Sequence, residues 1–245
     1  KGLAALGKEF RVGTFRNLGN LTGSQSQYLN FISVLATQDN TTVNFSNFGN
    51  GVTIINDAET SNILLNTGES YVIAASPSSN PDNAEGFIGV LVESDKPIAV
   101  NSGSITGSNA NLDDGDYGQD VGIDQVAPVE RIGSEYIFVR GVGPDEIERP
   151  LIVAHEDNTE VYVNGSLYAT LNGGDFVSIE GSYYGVSYPS DGNEGPPVGQ
   201  SSNMYVNTSN PAFAFQVIGG QRPGGGGGYS GIPNQGLFFV PPINC

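Results

Sequence analysis

The sequence predicts an all-β protein made of two tandem, duplicated β-sandwich-like halves packed together. Three observations carry this expectation. Short apolar runs rich in β-branched and aromatic residues alternate with clusters of Gly, Asn, Asp, Ser and Pro, and helical periodicity is nearly absent. Four blocks of the first half recur, in the same order, in the second. The repeat spacing, roughly 105 to 126 residues, exceeds any propeller blade or solenoid unit and matches one whole sandwich of about 100 residues.

Taken in order, the runs EFRVGTF, LNFISVLA, TTVNF, VTII, ILLN, SYVIA, FIGVLVE and PIAVNSG read as strands of the first half. The segments between them, TQDN, NFGNG, NTGE, SSNPDN and SDKP, hold the residues that supply turns. In the second half EYIFVRG answers EFRVGTF, with Glu135 in the place of Glu9. PLIVAHEDNTEVYVNG answers ISVLATQDNTTVNFSN, and TLNGGDFVSI answers LLNTGESYVI. NMYVNTSNPAFAFQVIGG answers GVLVESDKPIAVNSGS, with Pro211 in the place of Pro97. The expected organisation is a first repeat at 1–107, an acidic Asp/Gly-rich bridge at 108–127 and a second repeat at 128–245.

The D-N-T-x-V motif appears at Asp39 and again at Asp157, 118 positions on (157 − 39). Asp and Asn tolerate left-handed backbone and bond their own chain two residues later, and Thr-x-Val starts a strand. The motif therefore reads as a hairpin turn preserved by duplication. His155, the one histidine, stands where the first copy has Thr37, which marks it as an ordinary strand-end side chain and not a catalytic one.

Composition narrows the function classes. With 26 acidic against 9 basic residues, the formal charge is −17. That field repels phosphate backbones and anionic membranes, so nucleic acid is excluded as the natural partner. No apolar run approaches the ~18 residues that membrane insertion as a helix needs. Many glycines and few lysines fit an exported β protein. Cys245 is either an unpaired thiol or half of a bond to something beyond residue 245.

The bridge offers the densest chemistry. Asp113, Asp114, Asp116, Asp120 and Asp124, with Asn109 and Asn111, are hard oxygen donors of the kind Ca²⁺ takes, and no Lys or Arg lies between Lys96 and Arg131. The spacing is not that of an EF-hand, and a solvated acidic linker is the plain alternative. One histidine and one terminal cysteine leave no structural zinc site. No nucleophile elbow and no phosphate loop occur. GGQRPGGGGGYSG (219–231) lacks the lysine of a phosphate loop and reads, like 191–203, as a long loop able to carry recognition. Tyr183, Tyr184 and Tyr188 in GSYYGVSYPS are the aromatic candidates for ligand contact.

GKEFRVGTF, ESDKPIAVNSGS, DQVAPVERIGSEYI, LIVAHEDNTEVYVNG and LFFVPPINC together resemble the N-terminal domain family of IgGFc-binding proteins, in the form found in large secreted surface and gliding adhesins of Bacteroidota. The resemblance implies an extracellular, non-enzymatic adhesion module of a longer polypeptide, exported in a bacterial source by a type IX system. It supplies no catalytic residues. The expected partners are a surface protein or polysaccharide ligand and further domains of the same chain or neighbouring subunits. The alternative is a structural subunit of a stalk, sheath or filament. A third reading is a carbohydrate-active enzyme using aspartates of 113–124, which so glycine-rich a loop would hold poorly.

Overall fold

The computed structural model describes residues 2–19, 28–111, 113, 119–141, 143–185, 202–220 and 234–243. Among them lie two antiparallel sheets of seven strands each. The first holds β1 (Gly7–Arg11), β2 (Leu29–Ala36), β3 (Thr41–Ser46), β4 (Ile63–Leu65), β5 (Ser70–Ala75), β6 (Leu91–Gly107) and β7 (Asp120–Val126). Its order is β4-β3-β6-β2-β5, with β1 and β7 also paired to β6. The second holds β8 (Gly133–Val139), β9 (Leu151–Ala154), β10 (Thr159–Val163), β11 (Ser166–Leu171), β12 (Phe176–Ser178), β13 (Asn203–Ile218) and β14 (Gly236–Phe239). Its order, β11-β10-β13-β9-β12 with β8 and β14 on β13, is the same arrangement strand for strand.

The equivalence extends to register. Val43 faces Ser94 as Val161 faces Thr208. Glu9 faces Glu93 as Glu135 faces Asn207. Leu35 faces Ser70 as Val153 faces Phe176, and Asn101 faces Gln125 as Phe215 faces Phe239. A one-residue slip would send every side chain to the opposite face, so this agreement is the structural signature of a duplication.

One long strand organises each half. The first part of β6 pairs β1 and β3, and its second part pairs β2 and β7. Between the two parts stands Pro97, which has no N–H to give a ladder and so favours a corner. Ser94 Oγ donates to the Lys96 carbonyl at 2.7 Å and Thr208 Oγ1 to the Asn210 carbonyl at 2.6 Å, closing the same corner before Pro97 and Pro211. The bend lets one strand serve two layers and curls the sheet over its own apolar face.

The halves share a core. Phe10, Val12 and Phe15 of the first pack in one cluster with Phe213, Phe215, Leu237 and Phe239 of the second. Strand β9 is therefore buried on both faces: Leu151 and Val153 point to this seam, Ile152 and Ala154 to the interior of the second half.

Two expectations are corrected. VTII is not a strand: Asn56 and Asp57 have positive φ and a short 3-10 turn runs over Ile55–Asp57, while Val52 and Ile54 still pack on the core. FIGVLVE and PIAVNSG are not separate strands, because β6 runs from Leu91 through Pro97. The second part of the acidic bridge is strand β7, in which Val126 pairs with Val100. Cys245 lies outside the described residues, as does nearly all of the 191–203 and 219–231 loops.

Candidate binding cleft at the seam

The repeated D-N-T turn is scaffold, and its second copy clamps one wall of a cleft. Asn40 and Asn158 both have left-handed backbone, at φ 54° and 57°. Thr41 Oγ1 donates to the Gln38 carbonyl and Thr159 Oγ1 to the Glu156 carbonyl, each at 2.7 Å. The aspartates reach across to the next hairpin: Asp39 Oδ1 accepts from the Thr67 N–H at 3.0 Å, and Asp157 Oδ1 from the Gly173 N–H at 2.9 Å. That backbone bond holds the Asp39 carboxyl below the ordinary aspartate value, with Lys96 adding to it.

In the second half the clamped hairpin, Leu171–Phe176, abuts the first half. A Cβ on Gly89 would lie 2.0 Å from the Gly174 carbonyl oxygen, so glycine at 89, with φ +87°, is what lets the two backbones touch. Arg11 is buried behind this contact. Its Nη1 donates to the Gly89 carbonyl at 2.8 Å, and burial lowers its pKa against the opposing fields of Glu9, Glu93, Asp157 and Asp175. His155 adds a second link, with Nε2 at 3.5 Å from Glu9 Oε1 and its ring edge-on to Phe213.

Between this hairpin and the first half opens a cleft of about 770 Å³. Its opposite wall is two loops, 47–51 and 80–88, laced together. The Gly49 N–H donates to the Gly86 carbonyl at 2.9 Å, and Phe48 packs on Phe87 with centroids 5.7 Å apart. Asn80 Nδ2 donates to the Gly51 carbonyl at 2.7 Å, and Asn83, fully buried, donates from Nδ2 to the Ser76 carbonyl and accepts the Thr53 N–H. The floor is apolar, with Phe48, Ile88, Leu171 and Phe176, and the rim carries Asp82, Glu85 and Asp175. Glu85 is paired with Arg16 Nε at 2.5 Å. The cleft thus has one wall from each half, a mixed lining and three carboxylates, one of them paired with Arg16.

Of the residues singled out from sequence, the described ones do not line the cleft. Asp120 Oδ2 accepts the Gln235 N–H at 2.8 Å and Asp124 Oδ2 the Phe239 N–H at 2.9 Å, so both brace β7 against β14 across the seam. The Asp113 N–H donates to Asn111 Oδ1 and its side chain is exposed; Asp114 and Asp116 lie outside the described residues. Among the described residues no group of three or more His, Cys, Asp or Glu is placed to hold a metal ion. Tyr183 is 39 % exposed and stacks edge-on with Tyr168. Tyr184 is buried under the Arg140 guanidinium, which lies 5.7 Å from its ring centroid, and burial pushes its hydroxyl pKa up. Tyr188 lies outside the described residues.

Each half also holds one buried polar cluster at an equivalent place. In the first, Asn30 Oδ1 accepts from Asn17 Nδ2 and Ser104 Oγ at 2.8 and 2.6 Å. In the second, Glu148 accepts the N–H groups of Gly141, Gly143 and Gly219 at 2.5, 2.5 and 3.1 Å. Burial raises the Glu148 pKa, opposed by those three donors and Arg140. Every acceptor oxygen is engaged by backbone, so this carboxylate is a structural keystone.

The chain is thus a duplicated β framework with a cleft between its copies. The chain belongs to the IgGFc binding protein family, whose model matches residues 2–245. No curated protein and no solved structure matches the chain. No helix among the described residues is long and apolar enough to cross a membrane.

Proposed function

We propose that this chain is an extracellular, non-catalytic cell-surface interaction module, one piece of a larger secreted adhesin, and that it takes a surface protein or polysaccharide in the cleft between its halves. The observation that carries this is the position of the cleft: its walls come from different copies, and the second copy of the D-N-T turn clamps one of them. Membership of a binding-type family and the acidic, lysine-poor composition support the same reading. The carboxylates considered for glycoside hydrolysis favour it too, since Asp120 and Asp124 each hold a backbone N–H.

A stalk or filament grown by repeating the seam is disfavoured by one comparison. A Cβ on Gly13 would meet the ring of Phe215 at 2.8 Å. By register, Val139 stands at the Gly13 position in the second copy and Asn101 at the Phe215 position in the first. Neither free face carries the partner that the internal seam uses.

An array of surface polysaccharides and surface proteins, with immunoglobulin Fc among them because the family description names it, tests the proposal. The comparison is between wild type and Asn50→Trp, a rim substitution that fills the cleft. Binding lost in the variant supports the proposal. No binding at all, or binding untouched by Asn50→Trp, contradicts it.

A further inference from the structure

We infer that the cleft selects a basic, partly apolar segment of a protein partner: a lysine or arginine beside an aliphatic or aromatic residue, presented on extended backbone. The inference rests on reading the cleft as the ligand site and adds the chemistry of what enters it.

Charge comes first. Asp82 stands on one wall and Asp175 on the other, and Glu85, on the same loop as Asp82, is already shared with Arg16. Asp175 gives one oxygen to its own turn, accepting the Asn172 N–H at 3.0 Å. The chain as a whole carries −17, so its field draws cations in and resists phosphate, sulfate and uronate. An anionic polysaccharide is therefore the wrong occupant. A bare metal ion is also unsuited, because the rim carboxylates are spread over two walls and no described trio converges.

The floor supplies the second requirement. Phe48 and Phe176 face the cleft from opposite walls, with Ile88 and Leu171 beneath. A lysine or arginine has an apolar stem and a charged head, so it can lay the stem on that floor and reach the rim. Aromatic faces add attraction for the head. Backbone is the third requirement. Gly173 and Gly174 line the hairpin wall with no side chain, and a Cβ at Gly174 would lie 3.0 Å from the buried Arg11 guanidinium. A side chain here would point back onto Arg11 and, at Gly173, onto the His155 carbonyl, so what this wall offers the cleft is main chain, along which a partner's main chain can lie.

Two peptides probe this: Ac-Gly-Phe-Lys-Leu-Lys-Gly-amide and the same peptide with glutamine for both lysines. Amide chemical shifts of Gly49, Gly86, Gly173 and Gly174 are followed in wild type and in Asp82→Asn/Asp175→Asn, whose exposed sites keep an acceptor oxygen; thermal unfolding of the variant verifies folding. The lysine peptide is expected to move amides on both walls and to bind about three- to tenfold more weakly to the double variant or in high salt. Equal binding of the two peptides overturns the charge inference while leaving the cleft as the ligand site. Lysine-peptide shifts scattered over the acidic surface and unchanged in the variant overturn it as non-specific attraction. A neutral glycan from the array that moves these amides, where the lysine peptide does not, also overturns it and keeps the site. Array ligands that move amides only elsewhere bring down both readings.

Discussion

Gly13, just past β1, lies against the ring of Phe215, which a Cβ there would meet at 2.8 Å. Gly13→Ala forces that ring or the backbone to shift, and overpacking of this kind costs about 1–3 kcal/mol. Phe215→Ala leaves a void in the seam and should cost about 3–5 kcal/mol. Urea denaturation measures both. A seam that tolerates them without loss would mean that the halves are held elsewhere.

The D-N-T turn makes a prediction about backbone. Asn40 and Asn158 sit at positive φ, where a β-branched side chain is strained. Asn158→Val should lose about 1–2 kcal/mol and Asn158→Gly should lose little. The equivalent pair of changes at Asn40 should behave alike, because the turn performs the same role twice.

Asp39 predicts an acid-side effect. Its native pKa is depressed by the Thr67 N–H. The group therefore adds stability above the ordinary aspartate value, and that contribution disappears as pH falls through the lower native value. Asp39→Asn should flatten the stability curve in that window by lowering stability at neutral pH while leaving the most acidic values nearly unchanged, as followed by denaturant midpoints from neutral to acid pH.

Glu148 predicts the opposite slope. Its native pKa is raised, chiefly by burial. The native state holds the proton more tightly than the unfolded chain, so stability falls as pH climbs from the ordinary glutamate value to the raised one. Glu148→Gln should abolish that fall. Glu148→Leu leaves three buried N–H donors without an acceptor and should cost at least about 3 kcal/mol.

Tyr136 tests a corner of the second half. Its hydroxyl donates to the Ala212 carbonyl at 2.5 Å and accepts the Gly133 N–H at 3.2 Å, and burial pushes its pKa up to about 12. The first copy has Phe10 at this place. Tyr136→Phe should cost about 1–2 kcal/mol by differential unfolding, since Ala212 loses its donor.

Strand content and the duplication were legible because both are written in local pattern: alternation, turn residues and four matched blocks. Even the role of Asp39 and Asp157 could be read as a turn, since their chemistry is local. The corners at Pro97 and Pro211 were harder, because the merging of two runs into one bent strand depends on neighbours far along the chain. The burial of Tyr184 was not legible for a similar reason: nothing in GSYYG tells which tyrosine Arg140 will cover. The cleft was invisible as a site, since Phe48, Asp82, Asp175 and Phe176 are scattered over about 130 positions and converge only through the seam. A faint signal did exist. Where EFRVGTF and EYIFVRG are aligned, Arg11 meets Ile137 and Gly13 meets Val139, and it is these mismatched positions in the first copy that lie at the seam.

The account stands on recognition at the junction of two copies of one fold. Its most direct test is the amide footprint of whichever array ligand binds tightest. Perturbations on both walls, at Gly49 and Gly86 from the first half and at Gly173 and Gly174 from the second, are the predicted result. A footprint confined to one half, or to the outer strands away from the junction, would contradict it.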